Sequence, residues 1–161
     1  MIMATDTALR EHLIQLLEGG NAHAKFDDAV AKMPPEQMGK RPKGASHSPW
    51  EVLEHMRIAQ DDILRFSVSA DYVSPEWPAG YWPTAPAPQH EGDWAKSVRA
   101  FRKDLAEFIA LIRDPGQDLY KKLPWGSGQT LLREALLIAD HNAYHLGELV
   151  LLRRLLGAWP E

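Results

Sequence analysis

A chain of 161 residues, 45% hydrophobic and 25% charged, has the make-up of one globular domain spanning 1–161; at this length it buries roughly 70% of the surface its unfolded form exposes and needs no staples. A formal net charge of −4 gives no reason to expect nucleic acid or an anionic membrane as partner. With no cysteine in the chain, disulfides, thiolate metal ligands and a cysteine nucleophile are excluded, so any thiol in the chemistry arrives on a cosubstrate.

At the N-terminus, Met-Ile-Met-Ala-Thr-Asp lacks a basic region followed by an apolar core, so no signal peptide is expected. No run approaches the 18 or so apolar residues of a membrane span, and the cytoplasm is the expected compartment. A first helix is predicted to open with Thr5 or Asp6 as N-cap, with Leu9, Leu13, Leu16 and Leu17 at helical spacing. Gly19-Gly20-Asn21 weakens or kinks it, because each glycine costs up to about 1 kcal/mol relative to alanine. The pattern resumes with Phe26, Val30 and Met33 and stops at Pro34-Pro35. From Pro34 to His47 the chain reads as a solvated loop.

The second helix has the clearest start. Ser48-Pro49-Trp50-Glu51 places serine at the N-cap, proline at N1 and glutamate at N3, a capping box. Val52, Met56, Ala59, Ile63 and Phe66 then form an apolar face that fades near Asp71. His55 lies on the edge of that face, with Glu51 one turn before it and Asp62 two turns after. The connector from Val73 to His90 holds five prolines together with Trp77, Tyr81 and Trp82. Connectors of this length often act as lids or binding loops; a surface strap pinned by its aromatics and a pocket wall are equally supported.

A third helix is predicted from Asp93 to Arg113, ended by Asp114-Pro115-Gly116. A second connector, Gln117 to Gln129, contains Trp125. Thr130 caps a fourth helix that ends at Gly157 after Arg153 and Arg154, favourable charges at a helix C-terminus. Four amphipathic helices of 20 or more residues and no convincing strand make an all-α four-helix bundle, in which metal sites are built by side chains projecting inward from facing helices.

The fourth helix carries the main chemical signal. Leu137, Ile138, Leu152 and Leu155 form an apolar stripe, and His141, His145 and Glu148 interrupt it. His141 and His145 are four apart, hence about 6 Å apart along the axis and about 40° around it, close enough to share one ion. Uncompensated polar groups in a buried stripe are costly. The bland alternative is two half-buried histidines, each hydrogen-bonded to a neighbour. A third histidine, His55, on another helix and acidic residues beside both sites favour a metal. Glu51, Asp62 and Glu148 are candidates to orient the imidazoles or handle protons, and Glu148 is also a candidate direct ligand. Asn142 follows His141 where a zincin needs glutamate, and no Glu-x-x-His for a di-iron bundle occurs. A mononuclear three-histidine site with open positions remains, which suits catalysis more than structural closure. His12, His23, His47 and His90 take surface or capping roles. Trp50 reads more as core than site, and Trp125 reads equally as packing or pocket wall; both stand with Tyr81 and Trp82 as candidate pocket residues.

Ser-Pro-Trp-Glu-Val-Leu-Glu-His followed by Asp-His-Asn-Ala-Tyr-His-Leu-Gly-Glu-Leu-Val-Leu-Leu-Arg-Arg resembles the DinB-like (YfiT-like) superfamily over nearly the whole chain. The resemblance implies an up-down-down-up bundle, often a homodimer, with His55, His141 and His145 matching the family's metal triad. It also implies thiol-dependent S-transferase or isomerase chemistry with bacillithiol, mycothiol or glutathione, although many members have no known activity. The expected function is therefore a metal-dependent S-transferase or hydrolase acting on a small electrophile. Zinc or nickel is the expected metal, with iron also compatible with all-imidazole ligation. The alternative is a non-catalytic, stress-associated metal-binding dimer.

Overall fold

The computed structural model describes residues 4–160, with side chains described from residue 6 onward. Among the described residues five α-helices run in the order α1 (Ala4–Glu18), α2 (Phe26–Val30), α3 (Pro49–Val68), α4 (Asp93–Arg113) and α5 (Leu131–Leu155). Two 3₁₀ turns, Pro35–Gln37 and Ala79–Tyr81, lie in the connectors. Among the described residues there is no strand; Lys122 and Thr130 form an isolated bridge. No described helix is long and apolar enough to cross a membrane.

The long elements start and stop for local reasons. The Ser48 hydroxyl accepts from the Glu51 N–H at 3.2 Å, and the Ser48 N–H donates to Glu51 Oε2 at 2.7 Å, so the predicted capping box opens α3. That helix stops at Val68, short of Asp71. Thr130 caps α5 by accepting from the Arg133 N–H at 3.1 Å. The first predicted helix is corrected. Gly19 and Gly20 adopt φ of +69° and +82°, a left-handed conformation that ends a helix rather than kinking it. The run expected to reach Met33 is therefore a 15-residue α1 and a separate five-residue α2. The helix is already under way at Ala4, so the positions expected to cap it, Thr5 and Asp6, fall in its first turn, and the side chain of Thr5 lies outside the described residues.

Directions follow from named contacts. Arg10, midway along α1, donates to Ile112 O at 2.7 Å and Asp114 O at 2.9 Å, while Leu17 at the end of α1 lines a pocket with Phe101 and Leu105, so α1 and α4 are antiparallel. Gln60 of α3 donates to Phe101 O at 2.7 Å, and Trp50 lines one cleft with Asp93 and Ser97, so α3 and α4 are parallel. Asn142 of α5 donates to Gln60 Oε1 at 2.9 Å while Leu64 packs in one cluster with Leu131 and Ala135, so α3 and α5 are antiparallel. The connectivity is up-down-down-up, with α2 as an added piece.

Two apolar clusters fill the bundle. One gathers Trp50, Leu53, Met56, Phe101 and Leu149 with Val30 of α2. The other gathers Leu64, Phe108, Ile112 and Ile138. On α3 the gap between them holds buried Gln60, and on α5 it holds His141, Asn142 and His145. Arg153, almost fully buried, donates to Ala29 O at 2.6 Å and Ala31 O at 2.9 Å, which satisfies the end of α2 and seats it on α5.

Candidate metal centre

The second turn of α3 and the middle of α5 bring three imidazoles together. His55, His141 and His145 form one cluster whose ligand atoms all lie within 4.8 Å of each other. His55 Nε2 is 3.0 Å from His141 Nε2 and 3.1 Å from His145 Nε2. Antiparallel packing of α3 on α5 produces this meeting, because it sets residue 55 opposite the turn containing 141 and 145.

The partners of the other ring nitrogens assign the tautomers. His55 Nδ1 lies 2.8 Å from Tyr81 O, and a carbonyl only accepts, so Nδ1 carries the proton. His145 Nδ1 lies 2.8 Å from Glu148 Oε2 and donates to that carboxylate. The hydrogen bond from His145 holds the Glu148 carboxyl below the usual range, against the opposing effect of burial, so it is ionised at neutral pH. With their Nδ1 atoms held by acceptors, His55 and His145 turn their Nε2 atoms toward one another across 3.1 Å, where a bridging proton or a shared cation would satisfy both. Burial lowers His55 and, together with the neighbouring His145 and His55, pushes His141 down to about 4, so both of these rings stay neutral donors to an ion at neutral pH. A shared cation would meet all three Nε2 atoms at once. Two nitrogens bound about 2.0–2.1 Å from one ion stand about 2.9–3.4 Å apart for angles between right and tetrahedral, and the observed separations fall in that range. The residues present fit a divalent ion. Among the described residues no carboxylate joins the cluster.

The long proline-bearing connector is both strap and wall. The Trp82 ring lies flat on the His55 ring, with centroids 4.0 Å apart and planes 3° apart. Tyr81 gives its carbonyl to His55, and its hydroxyl donates to Asp62 Oδ2 at 2.8 Å. Burial, with Asp62 alongside, pushes the Tyr81 phenol up to about 12, so it stays a donor. The Ser48 hydroxyl donates to Pro86 O, fastening the far end of the strap to the start of α3.

The remaining predicted residues separate. Asp62 reaches His55 only through Tyr81. Glu51 is committed to the capping box and to Arg41, whose Nε donates to it at 2.9 Å. Burial raises the Glu51 carboxyl, but Arg41 and Ser48 together outweigh that and hold it below the usual range. Trp50 is buried in the apolar core. Trp125 donates from Nε1 to Phe66 O at 2.7 Å, beside the C-terminal end of α3 and away from the cluster.

Two site residues escaped the sequence reading. His47, expected in a surface or capping role, stacks on the other face of Trp82 with centroids 3.8 Å apart, and its Nδ1 lies 3.4 Å from Glu148 Oε1. The available signal was its position just before the N-cap, where an apolar residue usually staples the helix and this chain has an imidazole. Tyr144, one residue before His145, meets that ring edge-on at 4.9 Å. Both residues line a cleft of about 570 Å³ that reaches His145, Glu148 and Trp82, with Leu151, Leu155 and Lys43 also in its lining. Its size suits a small molecule.

No curated protein and no solved structure is a significant match. The family model described as the DinB superfamily matches residues 8–149. That span takes in α3, α4, most of α5 and all three clustered histidines, and the chain belongs to the DinB superfamily.

Proposed function

We propose that this protein is a metal-dependent enzyme that transfers a low-molecular-weight thiol to a small electrophile, or hydrolyses one, at a mononuclear site held by His55, His141 and His145. The observation that carries the reading is the convergence of three imidazoles, with His141 Nε2 and His145 Nε2 at 3.0 and 3.1 Å from His55 Nε2 while the Nδ1 atoms of His55 and His145 are already held by acceptors. Zinc or nickel is proposed as the metal, and iron is compatible with the same donors. When bound, such an ion lowers the pKa of a water or thiol and so supplies a nucleophile at neutral pH.

The chain's own residues do the rest. Tyr81 and Trp82 fix the orientation of His55 and cover its ring against water. Glu148 fixes the tautomer of His145 through Oε2 and can accept a proton at Oε1, the oxygen that faces His47. Lys43 and the leucine wall give the cleft a cationic point and an apolar side for a small substrate. A non-catalytic bundle would need a fourth side chain closing the sphere, and the candidate for that, Glu148, is engaged by His145. We place the activity in the cytoplasm, where thiols are kept reduced.

The test is a panel of thiols against electrophiles, run with metal content measured in parallel on wild type and His141→Ala. Wild type should carry metal and turn over one pair, and the variant should lose both. Undiminished turnover by a metal-free preparation would overturn the proposal.

A further inference from the structure

The outer side of α5 is as apolar as its buried side. Its exposed positions are 133, 136, 140, 143, 144, 147, 151, 154 and 155. They recur at steps of three, four and seven and fall in one stripe along the helix. Leu136, Tyr144, Leu151 and Leu155 are 48%, 73%, 56% and 58% exposed, and Ala143 and Gly147 lie between them. By contrast, α4 exposes lysine, arginine and alanine. A helix that is apolar all round is one that becomes buried, and a contiguous exposed apolar stripe marks an interaction surface.

Two features choose the occupant. Gly147 sits mid-helix, where glycine is disfavoured, yet a Cβ placed there meets nothing within 4 Å in its own chain. Its smallness serves no packing need inside the protomer. Asp140 and Arg154 lie seven residues on either side of it, both exposed. Neither is in an ion pair within the chain among the described residues. Two α5 helices crossing antiparallel at Gly147 would set Asp140 of each against Arg154 of the other, an isologous match made twice.

We propose that two copies of this chain pair through α5, antiparallel about a two-fold axis at Gly147, and that the pairing roofs the cleft leading to His145. Tyr144, Leu151 and Leu155 belong to both the stripe and the cleft, so the partner's α5 forms part of the site mouth. The homodimer implied by the family resemblance specifies no face; the face and register come from this helix.

Sedimentation equilibrium on the full chain tests the proposal without reference to metal, so its failure and failure of the histidine site are separable. Wild type should sediment at twice the 18.1 kDa chain mass. Gly147→Gln should be monomeric with its far-UV helicity retained, since the protomer has room for the side chain. Asp140→Arg and Arg154→Asp should each raise the dimer dissociation constant at least about tenfold, and the double variant should recover most of that loss. A wild type that stays monomeric at every accessible concentration, a dimeric Gly147→Gln, or a double variant no tighter than the singles would each overturn it.

Discussion

Replacing Glu148 by leucine and by glutamine separates the bulk of that side chain from its role as acceptor. Glu148 Oε2 accepts the His145 Nδ1–H at 2.8 Å, and this bond keeps the Nε2 lone pair on the side of His55. Leucine accepts nothing, so His145 loses the partner that selects its tautomer. A hydrogen bond to a charged group contributes about 1.5–3 kcal/mol, and each 1.4 kcal/mol is tenfold in affinity. The expected rise in metal Kd is thus about 10–100-fold, the range typical for partners of metal-bound histidines. Because the Glu148 side chain is 29% exposed, solvent screening places the effect nearer the lower end. The glutamine amide oxygen still accepts from Nδ1, so that variant loses only the charge, a difference of about 1 kcal/mol or roughly fivefold. Competition against a chromogenic chelator at neutral pH measures both constants. Equal Kd values for the leucine and glutamine variants, or a leucine variant that binds like wild type, would refute the reasoning.

Other outcomes follow from the same geometry. The metal-free protein should lose stability as pH falls from about 6.5 to about 4. His141 is held neutral in the folded state and takes up its proton more readily when unfolded, so the contribution is complete above the ordinary histidine pKa and lost through the lowered one. Thermal melts across that window check it, and His141→Asn should flatten the profile; an unchanged slope would count against the assignment. Trp82→Ala removes two ring stacks, each worth about 0.5–1.5 kcal/mol beyond area burial. It should speed both metal extraction by a chelator and proteolysis within 73–90, and unaltered rates would deny the strap its role. Arg153→Met leaves the buried carbonyl of Ala29 without its donor, at about 1–3 kcal/mol per lost partner. Urea unfolding should show a lower midpoint at unchanged slope, equivalent to a loss of at least about 2 kcal/mol in unfolding free energy; a loss under about 1 kcal/mol would show that the arginine is dispensable for seating α2.

Local signals carried much of the architecture. The capping box at Ser48, the proline and glycine after Arg113, and the threonine before Leu131 are short-range chemistry, and the helix limits they predict agree with the structure to within a few residues. The clustering of His55 with His141 and His145 was legible because polar rings in two otherwise apolar stripes have few ways to be satisfied. Long-range partners escaped the reading. A helical wheel puts Glu51 one turn from His55, but Arg41, ten residues earlier on a loop, takes its carboxylate. The glycine pair breaks the first helix completely, and α2 survives as a five-residue piece because Arg153, more than 120 residues later, supplies its carbonyls with donors. His47 looked like a capping histidine because its stacking partner, Trp82, comes from a connector whose path no periodicity reveals.

The most direct test of the account is X-ray absorption at the metal edge on protein reconstituted with zinc, compared between wild type and His55→Ala. The account predicts one ion per chain with three imidazole nitrogens at about 2.0–2.1 Å in wild type, and a first shell short of one imidazole, or no bound ion, in the variant. A wild-type shell with fewer than three imidazoles, or a His55→Ala spectrum indistinguishable from wild type, would contradict it.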